Sequence, residues 1–405
     1  MTAANTTVKF YHSAMSGAAT LNGTAGSLIS VLDACLVTGF NLKTADSLVV
    51  AGGIATLTIS AGIGAFEVDA VALVAGATPS GLNGEKRIIS VTTNTITYAA
   101  PGISDQTATG TITAKLAPAG WEKVYSGTNL AAYRSADLLS TRNLLRVDDT
   151  GTTNARVVGY ETMTDVNTGT GRFPTSTQMS VGLYWPKAND TSSTARGWTV
   201  TADDKTFYLH TNTHTTTANA GNAGATVGFG DLAAFKSGDL YSCHLQGLNT
   251  DYATGTSENG HTYNYNYNSG SNAVGLYVSR SYTGIGAAIS CGKRPENYGI
   301  ADGIVGGVAH VQWPNGADNA LLLSRVVASE YPTSGVHTLR GTLRGLLAPM
   351  QNCAASFGWR DKLDGQGAHA GRKLLAIKGH GGPAENAAGN ASPGCVFFDI
   401  TGPWD

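Results

Sequence analysis

Residues 48–115 constrain this chain most, because they read as a compact run of short strands separated by glycine turns. Residues 55–60 alternate apolar and hydroxyl side chains, as a half-buried strand does. Residues 66–69, 87–91, 95–98 and 109–113 continue the series. Gly62, Gly64, Pro79, Gly81, Asn83-Gly84, Asn94 and Pro101-Gly102 punctuate it. Asn-Gly tolerates positive φ, so a tight hairpin is expected at 83–84. The product expected is a small β-sandwich or barrel. The segment carries no evident chemistry and points to display or docking.

Charged residues make up 13% of the 405, about half the usual share of ~25%. Together with 52 glycines this fits a β-protein with many turns and weakly charged surfaces, which avoid the desolvation of ions at contacts. The net charge is −2 and no Lys/Arg run stands out, so no direct nucleic-acid contact is expected. The basic positions Arg340, Arg344, Arg360, Lys362, Arg372 and Lys373 read as a solvated or ion-paired surface. The start lacks a signal-peptide pattern, and no apolar run reaches the ~18 residues of a membrane span. Cys35, Cys243, Cys291, Cys353 and Cys395 are odd in number, far apart and without a CxxC. They read as buried thiols of a protein made in a reducing cytoplasm.

Residues 26–36 form the best helical pattern, with Leu28, Val31, Leu32 and Cys35 on one face. Thr24 or Ser27 is the expected cap, and Gly39 follows the end. The expected division is an N-terminal docking region with this helix at 1–47, the small β-module at 48–116, and a larger antiparallel β-sandwich with long loops at 117–405. Residues 116–120 read as a linker, and 320–328 are ambiguous between helix and strand. Residues 211–226 and 379–394 are loops of small polar residues that either reach between subunits or are idle insertions.

His210 and His214 are four apart, but a metal needs three or four converging ligands, so ordinary hydrogen-bonded histidines are the favoured reading and no metal or other cofactor is expected. Asp148 and Asp149, with Glu161 or Asp165, are conceivable as a glycosidase pair, yet Asp and Gly also favour turns for backbone reasons. Asp203-Asp204-Lys205 is read the same way. No nucleophile elbow or phosphate loop is present, and no catalytic residue is assigned. Tyr263, Tyr265 and Tyr267 alternate with asparagines. On a strand the three rings share one face, either packed on the core or placed to contact a partner subunit or receptor.

The opening Val8-Lys-Phe-Tyr-His-Ser-Ala-Met15 resembles structural proteins of tailed bacteriophages and prophages, as do Gly23-Thr-Ala-Gly-Ser-Leu-Ile29 and Leu32-Asp-Ala-Cys-Leu36. The β-module resembles repeats of phage tail and virion proteins in Gly64-Ala-Phe-Glu-Val-Asp-Ala-Val71, Gly76-Ala-Thr-Pro-Ser-Gly-Leu-Asn-Gly84 and Ile89-Ser-Val-Thr-Thr-Asn-Thr-Ile-Thr-Tyr98. Arg340-Gly-Thr-Leu-Arg-Gly-Leu-Leu347, Lys373-Leu-Leu-Ala-Ile377 and Phe398-Asp-Ile-Thr-Gly-Pro-Trp404 look like that family too. Asp69 stands directly after Val68, where the repeat has Gly before Asp. The resemblance implies a non-enzymatic virion component of tail or baseplate, made in the bacterial cytoplasm, whose partners are copies of itself and other virion proteins. The alternatives are a receptor-binding or capsid-decoration protein that meets a host glycan or receptor, and a tail-associated glycan hydrolase.

Overall fold

The computed structural model describes residues 4–215, 224–251, 274–296, 313–330, 338–378 and 395–404. The fold is mainly β, as the periodicity implies, with one principal helix. Among the described residues no helix is long and apolar enough to cross a membrane.

The small module is a barrel. Its strands Ser47–Ala51, Ile54–Thr58, Thr95–Ala99, Gly84–Val91 and Val71–Ala75 pair antiparallel in that order. One segment then closes it. Gln106–Thr107 pairs with Ser47–Ala51, Thr109 bridges Thr78, and Thr113–Leu116 pairs with Val71–Ala75. Inside, Leu48, Leu57 and Ile96 form one row, and Val50, Ala55, Tyr98 and Ile88 the next. Outside, threonines face threonines, with Ser90 and Thr97 hydroxyls 2.6 Å apart. This is period-two patterning read out directly.

Three local expectations in the module are corrected. Residues 66–69 form a turn rather than a strand, because Asp69 takes φ +69 and its N–H donates to Ile88 O. Asn83 does not make a tight hairpin: it is extended, and its side-chain amide bonds both the N–H and the C=O of Ala77 at 2.8 Å. Residues 116–120 are no free linker. Ala117 and Ala119 are buried, and their N–H groups donate to Val71 O and Cys35 O. The module's sheet begins at Phe40–Thr44, paired with Thr113–Leu116. The N-terminal strand Lys9–His12 belongs to the large sheet, against Gly197–Ala202.

In the larger region the strands Trp121–Gly127, Leu130–Ser135, Leu144–Asp148, Asn154–Tyr160 and Leu183–Pro186 make one antiparallel sheet. Lys9–His12, Gly197–Ala202, Thr206–Asn212 and Gly224–Ala234 make a second. An aromatic core lies between them, with Trp121 and Phe207 rings 5.1 Å apart, Trp185 and Phe207 at 5.9 Å, and Phe173 and Phe229 at 6.3 Å. Beyond it Gly224–Ala234, Cys243–Leu248, Val274–Val278, Ile289–Pro295, Leu323–Glu330 and Leu339–Pro349 pair consecutively, and the last returns to the first through Leu343 and Leu232. That ring is a closed up-and-down barrel. The ambiguous stretch 320–328 thus supplies a strand.

Two long strands each serve two sheets, and a glycine marks each change of neighbour. Gly230, at φ +137, stands where Gly224–Ala234 passes from sandwich to barrel; a Cβ there would lie 2.2 Å from Lys205 O. Gly345, at φ +68, stands where Leu339–Pro349 passes from the barrel to Cys395–Asp399; a Cβ there would lie 2.0 Å from the Trp404 ring. Lys373–Lys378 and Lys362–Asp364 extend this last sheet.

The helix spans Ser27–Leu32 and runs on as a wider turn over Asp33–Thr38. Neither Thr24 nor Ser27 caps it. Asp149, remote in sequence, accepts from Leu28 N (2.8 Å) and Ile29 N (3.1 Å) instead. The small barrel is tied to the large region at one residue above all. The half-buried Arg87 guanidinium donates to Asn5 O, Val8 O, Asp69 O, Ile400 O and Thr401 O, at 2.7–3.1 Å. A Lys9–Glu85 ion pair at 3.0 Å and a His12–Glu67 hydrogen bond at 2.8 Å flank it.

Candidate functional site

Five of the carboxylates that the sequence offered for catalysis have separate local roles, while for Asp204 burial raises the pKa, with Asp203 and Asp137 adding to it. Asp149 is fully buried, caps the helix and pairs with the fully buried Lys187. Lys187 also donates to Thr24 O (2.9 Å) and Gly151 O (2.7 Å). Burial raises the Asp149 pKa against the pull of Lys187 and of the two helix amides, and burial lowers that of Lys187. Asp148 accepts from the Thr150 hydroxyl at 2.7 Å. Glu161 forms a two-point pair with Arg280 at 2.6 and 2.7 Å. Asp165 holds an exposed turn by accepting from Asn167 N. Asp203 accepts from Lys205 N, Thr206 N and Arg344, while Lys205 pairs with Asp137. None of these arrangements is an acid and base facing each other across a cleft.

The histidines do not converge either. His210 is buried between Thr226 Oγ1 (3.0 Å) and Asn212 Oδ1 (3.1 Å), with the Trp359 ring 5.6 Å away. His214 bonds Thr213 Oγ1 just past the strand end. Among the described residues no group of three His, Cys, Asp or Glu side chains could hold a metal. Tyr263, Tyr265 and Tyr267 lie outside the described residues, as do 379–394 and 216–223; of the loop expected at 211–226, residues 211–212 and 224–226 belong instead to the strands Thr206–Asn212 and Gly224–Ala234.

The feature that sequence reasoning missed is one rim of the large barrel. Arg340, which reads in sequence as part of a basic surface, is fully buried there and organises the loop ends around it. Its guanidinium bonds Asp239 (2.7 and 3.1 Å), Glu330 (2.7 Å), Arg280 O (2.7 Å) and Tyr241 O (3.1 Å). Phe235 N–H donates to Arg340 O, Lys236 to Tyr282 O, and Arg280 lies 4.9 Å from the Tyr241 ring centroid. Around this network Phe235, Leu240, Tyr282, Ile285 and Leu339 stand exposed, with Leu240 at 70% and Ile285 at 77%. Exposed apolar side chains thus stand around a buried ion network. Nothing in its local sequence pattern marks it, because its parts are scattered between residues 235 and 340.

The inner face of the same barrel carries two bases. Lys293 lies opposite Ala328, and His244 opposite Val278. Among the described residues the Lys293 amine has no hydrogen-bond partner, and burial brings its pKa down to about 7. Burial brings the His244 pKa down to about 3, against the pull of the Gly230 backbone and with Lys293 adding to the fall. A cleft of about 330 Å³ opens near the other end of Leu339–Pro349. Its acids are neutralised, Glu296 by Arg325 at 2.8 Å and Asp399 by Arg372 at 3.1 Å.

No protein-family model matches this chain, and neither does any curated protein.

Proposed function

We propose that this protein is a non-enzymatic structural component of a tailed-bacteriophage virion, of tail or baseplate type, that is made in the bacterial cytoplasm and works by assembling with copies of itself and with other virion proteins. The observation that carries the assembly part is the rim at Arg340, where exposed apolar side chains sit on a preorganised ion network. Rigid apolar surface binds at low entropic cost, because little has to be ordered on contact. The structural roles of Asp149, Glu161 and Asp203 support the non-catalytic part. The phage assignment rests on the sequence resemblance.

The test is the double substitution Leu240→Glu with Ile285→Glu. Both side chains are exposed, so the melting temperature of the isolated chain is expected to stay within about 2 °C of the parent. Incorporation into particles is expected to fall at least tenfold, read by immunoblot of purified virions against input. Full incorporation of the folded variant would overturn the assembly role of the rim. Turnover of a glycan by the purified parent, abolished by a single carboxylate substitution, would overturn the non-enzymatic reading.

A further inference from the structure

All five cysteine side chains are buried, and Cys395 stands beside Cys353. Their sulfurs are 3.6 Å apart, both fully enclosed, although the residues are 42 positions apart in sequence. Cys353 precedes the short turn Ala354–Ser356, and Cys395 opens the strand Cys395–Asp399 beside Lys373–Lys378. Both lie in a satellite apolar cluster with Leu347, Phe357, Leu374 and Phe397. Cys35 sits in the helical stretch, while Cys243 and Cys291 sit on barrel strands.

A disulfide needs sulfurs ~2.05 Å apart, so closure asks for a relative movement of about 1.5 Å. Packing has already brought the pair together, so the native state lends the second thiol a high effective concentration, and this favours the intramolecular bond over mixed disulfides.

We propose that Cys353 and Cys395 are a latent disulfide, open in a reducing cytoplasm and closed once the protein meets a disulfide oxidant. In the first step one thiol, as its thiolate, attacks a sulfur of the oxidant disulfide and expels one thiolate. In the second the other thiol attacks the mixed disulfide and expels the second. One protein S–S bond forms, two protein S–H bonds are lost, and the oxidant takes up two electrons and two protons to become two thiols. The closed ring spans 353 to 395 and locks the C-terminal sheet to the barrel strand Leu339–Pro349. This inference does not rest on the virion reading, because it concerns the folded chain alone.

The experiment equilibrates the reduced full-length chain in glutathione buffers from reducing to oxidising, quenches with acid, and analyses it by intact mass and peptide mapping. The expected result is a mass loss of about 2 Da and one linked peptide joining Cys353 to Cys395. Cys35, Cys243 and Cys291 are expected to remain alkylatable after unfolding. The melting temperature of the parent is expected to rise by several degrees on oxidation, and that of Cys353→Ser to be indifferent to it. No 353–395 linkage in the most oxidising buffer would overturn the proposal, as would linkage spread over the other cysteines. The mapping uses the parent chain, so it decides even if Cys353→Ser does not fold.

Discussion

Replacing Lys293 by Met tests the reading of the large barrel's interior. The amine is enclosed, lacks a hydrogen-bond partner among the described residues and is destabilised by burial, which lowers its pKa from 10.5 to about 7. Multiplying that fall of about 3.5 by ~1.36 kcal/mol per pH unit gives about 5 kcal/mol of strain held in the folded protein at neutral pH. The sign follows from the protons bound. Between pH 7 and 10.5 the unfolded chain keeps a proton on this amine that the folded chain has released, so stability rises with pH across that window. Below pH 7 both states are protonated and the full penalty stands. Met matches the length and volume of Lys without its charge. Lys293→Met is therefore expected to be more stable than the parent by several kcal/mol at pH 6–7, with the gain fading toward zero near pH 10.5. Urea unfolding followed by tryptophan fluorescence at intervals from pH 6 to 10.5, with reductant present, measures the difference directly. A variant no more stable than the parent at pH 7, or a gain that does not change with pH, would refute the reasoning and mean that the amine is solvated or paired.

Arg87→Met removes the donors to four carbonyls near the chain ends and to Asp69 O of the small barrel, and is expected to destabilise the protein by about 2–4 kcal/mol and to expose the 39–40 and 116–120 junctions to limited proteolysis. Arg87→Lys, with a single-point donor, should recover only part of this in the same melts. Asp149→Asn leaves Lys187 buried without its counter-charge and weakens the helix cap, for an expected loss of about 3–5 kcal/mol by thermal unfolding, whereas Asp149→Asn with Lys187→Met should recover part of it.

The alternation of threonine with Ala, Leu, Ile and Tyr in 54–58 and 95–99 determined that these segments are strands with one wet face, because a strand's side-chain period is a local property of the backbone. Low charge and frequent glycine likewise determined a turn-rich β-protein. The helix at 27–32 was legible from its apolar spacing, but its cap was not, since Asp149 reaches it from another sheet. The same holds for 320–328, which local pattern leaves between helix and strand and which supplies the strand Leu323–Glu330 only when paired on both sides in the barrel. Tertiary structure alone decided that the large region closes into a ring, that Asp148, Asp149 and Glu161 go to different places, and that Arg340 is buried at a rim. Burial and charge pairing depend on which distant segments meet, and a sequence fixes the propensity of each segment without stating its neighbours.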